Sequence, residues 1–200
     1  MMKIYGITGG VGCGKSAVLE YLRKKHKAYV VQADEVGHEL MKKGEKAYEK
    51  LYELIGDPLL DKEGEIDKGY LASLIFSSKN KQIAVNSIVH PLVKDRIIDM
   101  INQRFIAGDC EVFVMEAALL LEARYDVLCD EVWYVYADEE VRRERLRRTR
   151  GYSDEKIDSI MKSQLSEDVF RERCDFVLDN SGTLEELYAK IDSRLVMKNA

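Results

Sequence analysis

The chain opens with a short apolar run, Lys3–Thr8, that ends in glycines, and in the following residues 16–25 Val18, Leu19 and Leu22 recur at helical spacing. The first pattern reads as a strand and the second as an amphipathic helix, so the opening unit is strand, loop, helix. β-Branched or aromatic runs return at 28–33, 111–115, 131–136 and 176–178, each separated from the next by a helical stretch. This alternation predicts an α/β fold, a parallel sheet with helices on both faces. Between the second and third runs lie roughly eighty residues without a strand pattern, too many for one crossover helix, and 35–107 reads mainly as an inserted helical lobe. Within it, 80–105 carries a long helical pattern broken at His90-Pro91, where the proline is expected to start a new helix. Residues 138–165 read as two charged helices hinged at Gly151, with a helix start at Ser153. A last helix begins near Thr183, where Thr183 and Glu186 have the spacing of a capping box.

Composition supports one globular domain over 1–200: 46% of the residues are apolar, 34% are charged, and there are only two prolines. The apolar runs are far too short to cross a bilayer, and the N-terminus lacks the apolar region and cleavage site of a secretory signal, so a cytoplasmic protein is expected. Cysteines 13, 110, 129 and 174 and histidines 26, 38 and 90 have no paired spacing, which argues against structural zinc and a disulfide framework. A net charge of −5 argues against broad nucleic-acid binding, although six arginines crowd into 142–150.

The sharpest chemical signal is Gly9-Gly10-Val11-Gly12-Cys13-Gly14-Lys15-Ser16, a Walker A sequence. Its glycines let backbone N–H groups turn around phosphate oxygens, Lys15 reaches the β and γ phosphates, and Ser16 is a Mg²⁺ ligand. Chance matches in a chain of this length are expected on the order of 0.01 times. The motif makes the sheet a P-loop NTPase-type core and identifies a nucleoside triphosphate, not the acceptor.

Asp34 directly follows the second strand, where an open α/β sheet faces its ligands, and it reads equally as a base for an acceptor hydroxyl or as a helix N-cap. Glu116 ends the third strand and suits Mg²⁺ through a water, ahead of Glu122, which lies farther on. The arginine run reads as a solvated face or as a lid that closes guanidinium groups over phosphates, and the absence of lysine favours the lid for one or two of them. His90 reads as structural or as an acceptor contact, and Cys13 as a backbone donor whose thiol is open to oxidation.

Taken in order, the Thr8-Gly9-Gly10 opening, Ala33-Asp34, His90-Pro91-Leu92-Val93, 118–122 Ala-Leu-Leu-Leu-Glu, the arginine-rich helix with Gln164, and Asp179-Asn180-x-Gly182 resemble the dephospho-CoA kinase family over nearly the whole chain. The resemblance implies transfer of the γ phosphate of ATP to the ribose 3′-hydroxyl of dephospho-CoA, the last step of coenzyme A biosynthesis, with Mg²⁺; the sequence does not give the oligomeric state, a monomer being favoured. It implies that Gly10 and the run Gly12, Cys13, Gly14, Lys15, Ser16 and Ala17 bind ATP phosphates, with Asn180 and Gly182 beside the adenine. It further implies that Asp34, Lys15 and Arg145 carry catalysis, that Thr8, Asp34, His90 and Glu122 meet the acceptor, and that Ser16 and Glu116 meet the metal.

The chain departs from the family pattern at Gln32, Ala17, Ala118, Glu116 and Thr149, the last standing where a second lid arginine is usual, with Arg148 and Arg150 as substitutes. Three other readings compete. A GTPase switch fits Asp61-x-x-Gly64 and Asn80-Lys81 but has Ile83 where its motif needs Asp. A related nucleoside or nucleotide kinase differs only in acceptor, and a nucleotide-dependent regulator sits poorly with Lys15, Ser16 and Asp34 together.

Overall fold

The computed structural model describes residues 2–199. Two compact units emerge, one formed by the chain up to Val30 together with everything from Gly108, the other by Val31–Ala107. The strands are β1 (Lys3–Thr8), β2 (Tyr29–Gln32), β3 (Val112–Glu116), β4 (Glu131–Tyr136) and β5 (Phe176–Asp179), in spatial order β2-β3-β1-β4-β5. β1 runs parallel to both β3 and β4, and β4 parallel to β5. β1 is thus the central strand, and the loop that leaves its C-terminal end starts from the best-supported point of the sheet.

Side chains alternate across this sheet as a period of two requires. Tyr5, Ile7, Val114, Trp133, Val135 and Leu178 face one way, onto α1 (Lys15–Lys25) through Val18, Leu19 and Leu22 and onto α9 (Leu184–Asn199) through Leu187, Ile191 and Leu195. On the other face Tyr134 stacks on Phe170 of α8 (Glu167–Arg173) at 4.6 Å between ring centres. Completely burying a side chain such as Ile7, Phe113 or Leu121 contributes about 1.5–3 kcal/mol each, so this two-sided core outweighs the exposed ion pairs. A buried charge, Glu131, is tolerated because Trp133 Nε1 at 2.8 Å and Arg194 Nε at 2.7 Å both donate to it.

Helix ends carry the expected chemistry. α6 (Glu139–Arg150) stops at Gly151, which adopts the left-handed conformation at φ 62°, and Ser153 then caps α7 (Asp154–Lys162). At the start of α9 the capping box is reciprocal: Glu186 N–H donates to Thr183 Oγ1 at 3.2 Å, and Thr183 N–H to Glu186 Oε2 at 3.0 Å.

The second unit is helical: α2 (Ala33–Leu40), α3 (Lys46–Ile55), α4 (Lys68–Ser77) and α5 (Lys79–Ala107), with Leu51, Leu59, Ile66, Leu71 and Val85 at its centre. The expected helix start at Pro91 is corrected, since α5 runs straight through it. Pro91 forfeits one backbone bond, but Val85 before it and Val93 and Ile97 after it are buried, and that packing keeps both halves in one helix. The Asp61–Gly64 segment is a polar turn in which Asp61 Oδ1 accepts from the N–H groups of Glu63 and Glu65, so its carboxylate is spent on the turn and the GTPase reading ends there. No helix among the described residues is long and apolar enough to cross a membrane.

Gly6 is the glycine that β1 cannot replace, because a Cβ there would lie 2.8 Å from Cys129 Sγ and 3.0 Å from Leu120 Cδ1. Gly6→Ala is expected to cost about 1–3 kcal/mol in urea unfolding, with part of the loss recovered by Cys129→Ala in the same chain. Equal midpoints for Gly6→Ala and the parent would contradict this packing.

Candidate active site

The Walker A loop leaves β1 at Thr8 and enters α1 through Gly14, whose φ of 93° is left-handed and whose Cβ would run into the Asn180 amide. What shapes the loop is where its carbonyls go. Gly9 C=O accepts from Lys15 Nζ at 2.8 Å, Val11 C=O from Arg142 Nε at 2.9 Å, and Cys13 C=O from Asn180 Nδ2 at 2.8 Å and Arg145 Nη1 at 3.5 Å. Every second carbonyl from 9 to 13 is thus held by a side chain. The first turn of α1 adds N–H groups that have no acceptor in their own helix, the arrangement that receives anions. Arg142 comes so close that a Cβ on Gly10 would strike its guanidinium group.

Lys15 Nζ also lies 3.9 Å from Glu116 Oε1, and both side chains are largely buried. Glu116 is the last residue of β3, level with Ile7 of β1, and the buried Thr8 hydroxyl donates to Ala117 C=O at 3.2 Å, tying the two strand ends together. Ser16 is exposed on the first turn of α1. The Ser16 hydroxyl and the Glu116 carboxylate are hard oxygen donors of the kind Mg²⁺ takes. Among the described residues no group of three or more His, Cys, Asp and Glu could hold a metal. Two such oxygens leave the remaining ligands of an ion of this kind to phosphate and water.

The arginine run sorts by helix phase. Arg142 and Arg145 turn to the loop, and Arg145 Nη2 also donates to Asn180 C=O at 2.9 Å. Arg143 instead pairs with Glu139 and Asp158, and Arg147 with Asp154, which fastens α6 to α7. Arg148 and Arg150 are exposed, and Thr149 Oγ1 donates back to Arg145 C=O at 2.7 Å. Gln164, just past α7, accepts from Val11 N–H at 3.0 Å and from Arg142 Nη2 at 3.3 Å. The arginine run and Gln164 are visible in the sequence, but their joint hold on Val11 is not, since it is made to main-chain atoms.

Asn180 is only 2% exposed, its own N–H donates to Tyr136 C=O, and its Oδ1 is buried without a partner. Gly182 is exposed, beside the Glu186 carboxylate that caps α9. Ala17 packs against the core, and its N–H donates to Gly14 C=O at 3.0 Å. The expectation of an oxidisable Cys13 is corrected: the thiol is buried, and burial pushes its pKa up against the opposing pull of Lys15.

In the second unit Asp34 is the second residue of α2 and is exposed. The N-cap of α2 is Gln32, with no side-chain cap, so the capping reading of Asp34 falls. His90 is half-buried, and burial lowers its pKa against the opposing pull of Asp34, which favours the neutral imidazole. A groove of about 1100 Å³ is lined by Glu35 and His38 of α2, by Lys42 just beyond it, and by Asp67, Leu71 and Ile75, without Asp34 or His90. Glu122 is exposed in an irregular turn after Leu121, not on a helix.

Against known families, the dephospho-CoA kinase model matches residues 3–186. The chain belongs to the dephospho-CoA kinase family. A dephospho-CoA kinase of Oceanobacillus iheyensis is 32% identical over 195 residues, covering 98% of this chain and 97% of that one, and one of Staphylococcus aureus is 34% identical over 195 residues, covering 98% and 93%. A solved structure from Thermus thermophilus aligns with TM-score 0.82 at 28% identity over 98% of this chain and 97% of that one. The dephospho-CoA kinase of Campylobacter jejuni, at 22% identity and TM-score 0.72 over the full length of both chains, shares the fold. A shikimate kinase of Acinetobacter baumannii, at 15% identity and TM-score 0.52 over 100% of this chain and 95% of that one, shares the fold more loosely.

Burial also pushes the Cys129 and Cys174 thiols up to about 12. Iodoacetamide at about pH 8 is therefore expected to label native protein at Cys110 and to spare Cys13, Cys129 and Cys174, as read by peptide mass. Early labelling of Cys13 would contradict the buried loop thiol.

Proposed function

We propose that this chain phosphorylates dephospho-CoA with ATP, giving coenzyme A and ADP, by transfer of the γ-phosphoryl group to the ribose 3′-hydroxyl. The observation that carries the reading is the braced phosphate loop, with carbonyls 9, 11 and 13 drawn to side chains, in a chain of the dephospho-CoA kinase family. In the reaction the bond from the γ phosphorus to the β–γ bridging oxygen breaks, the acceptor oxygen bonds to phosphorus, and its proton leaves to a base.

The roles follow from chemistry and position. Gly10 and the stretch from Gly12 to Ala17 bind the phosphates, with Lys15 exchanging its hold on Gly9 C=O for the β and γ oxygens. Arg145, anchored on two carbonyls, balances charge that develops on the transferring group. Asn180 and Gly182 flank the adenine, and the unsatisfied Oδ1 of Asn180 suits an amino-group donor. Asp34, exposed and not spent on a cap, takes the acceptor proton. His90 and Glu122 belong to the acceptor side, with 35–107 as the acceptor lobe and 138–165 as the lid, while Thr8 supports the site through Ala117. Mg²⁺, when bound with the nucleotide, neutralises phosphate charge, and Ser16 and Glu116 are the residues that fit it.

Coupled ADP release with ATP, Mg²⁺ and dephospho-CoA is the test, with the phosphorylated product identified by mass. Turnover only with other nucleosides or nucleotides would move the acceptor, and nucleotide binding without turnover would overturn the kinase reading. Asp34→Asn is expected to lower kcat by roughly 10²-fold or more while leaving the KM for ATP nearly unchanged, and a parental kcat would remove Asp34 from the chemistry. Lys15→Ala is expected to abolish most turnover in folded protein, checked in the same assay beside circular dichroism.

A further inference from the structure

Val11 sits between Gly10 and Gly12, so each of its two peptide groups has a glycine on one side, and a glycine neighbour makes peptide reorientation cheap. Both are nevertheless held. The Gly10–Val11 peptide gives its N–H to Gln164 Oε1 at 3.0 Å, and the Val11–Gly12 peptide gives its C=O to Arg142 Nε at 2.9 Å. Arg142 Nη2 closes the ring on the same Gln164 oxygen at 3.3 Å. Gln164 follows Ser163, the C-cap of α7, and α7 is fastened to α6 by the pairs of Arg143 with Asp158 and Arg147 with Asp154. Both helices of the pair therefore reach the loop at Val11, which contributes only backbone there.

We propose that Gln164 is a positioning residue which, through Arg142, clamps both peptides of Val11 and keeps the phosphate loop in its nucleotide-receptive form. The clamp acts before chemistry: it removes orientations that bound phosphate would otherwise have to exclude. Its loss should weaken nucleotide binding and leave the transfer step alone. The proposal rests on reading the loop as the ATP site and needs no particular acceptor.

Gln164→Ala removes an uncharged side chain, so a change in nucleotide affinity cannot come from lost positive charge. ADP titration by calorimetry is expected to give a Kd raised about three- to tenfold, the scale of one or two lost hydrogen bonds, with kcat at saturating ATP within about twofold of the parent on the same scale. Independently of any nucleotide, NMR should find the Val11 amide exchanging with solvent at least about tenfold faster once its acceptor is gone. Gln164→Glu, which keeps an acceptor oxygen, should restore Val11 protection. In the Arg142→Ala, Gln164→Ala double variant the loss of ADP affinity should be smaller than the product of the two single losses, since both act on one unit.

Unchanged ADP affinity with unchanged Val11 exchange would overturn the clamp, as would strictly multiplicative single effects or a fall in kcat at constant Kd. If the parent protein binds ADP but does not phosphorylate dephospho-CoA, the acceptor assignment fails while the exchange and ADP measurements still judge the clamp.

Discussion

A phosphate site made of backbone has one governing requirement: its carbonyls must be engaged elsewhere, because each one facing the ligand would repel it. Here Lys15, Arg142, Arg145 and Asn180 meet that requirement at Gly9, Val11 and Cys13. The rest of the first unit is arranged to bring these four side chains to the loop. Central β1 fixes where the loop starts, α6 delivers two arginines three residues apart, and the turn between β5 and α9 delivers Asn180.

That arrangement explains several costs that would otherwise look wasteful. Asn180 is buried with one oxygen unsatisfied, and Glu116 is a largely buried carboxylate beside a lysine. Such polar burial is expensive in a core and common where a charged ligand completes the site. The same logic separates the arginines: Arg143 and Arg147 hold helices together through carboxylates, whereas Arg142 and Arg145 turn donors to neutral carbonyls of and beside the loop. Positive charge there suits a triphosphate.

The sheet was largely legible in the sequence because strands are local patterns. β1 and β4 fall on the expected residues, and β3 is displaced by one so that Glu116 joins it. β2 is shorter than 28–33 because Ala33 already belongs to α2. The break expected at Pro91 was a local inference overridden by buried neighbours on both sides, which no local rule weighs. At the site, the Walker A residues announced themselves because each residue type has a task. The roles of Arg142 and Gln164 did not, since they act on main-chain atoms that every residue possesses and lie 131 and 153 positions from Val11. Nor could the sequence alone say which arginines of α6 face the loop, since that depends on the phase at which the helix docks.

Those separations bear on how the protein is made. The loop is synthesised before its braces, since Arg142 follows Val11 by 131 residues and Asn180 follows Cys13 by 167. A nascent chain carrying β1, the loop and α1 has the motif but none of these distant braces. The braced shape of the loop is thus a product of nonlocal contacts, which close a long stretch of chain before they stabilise anything.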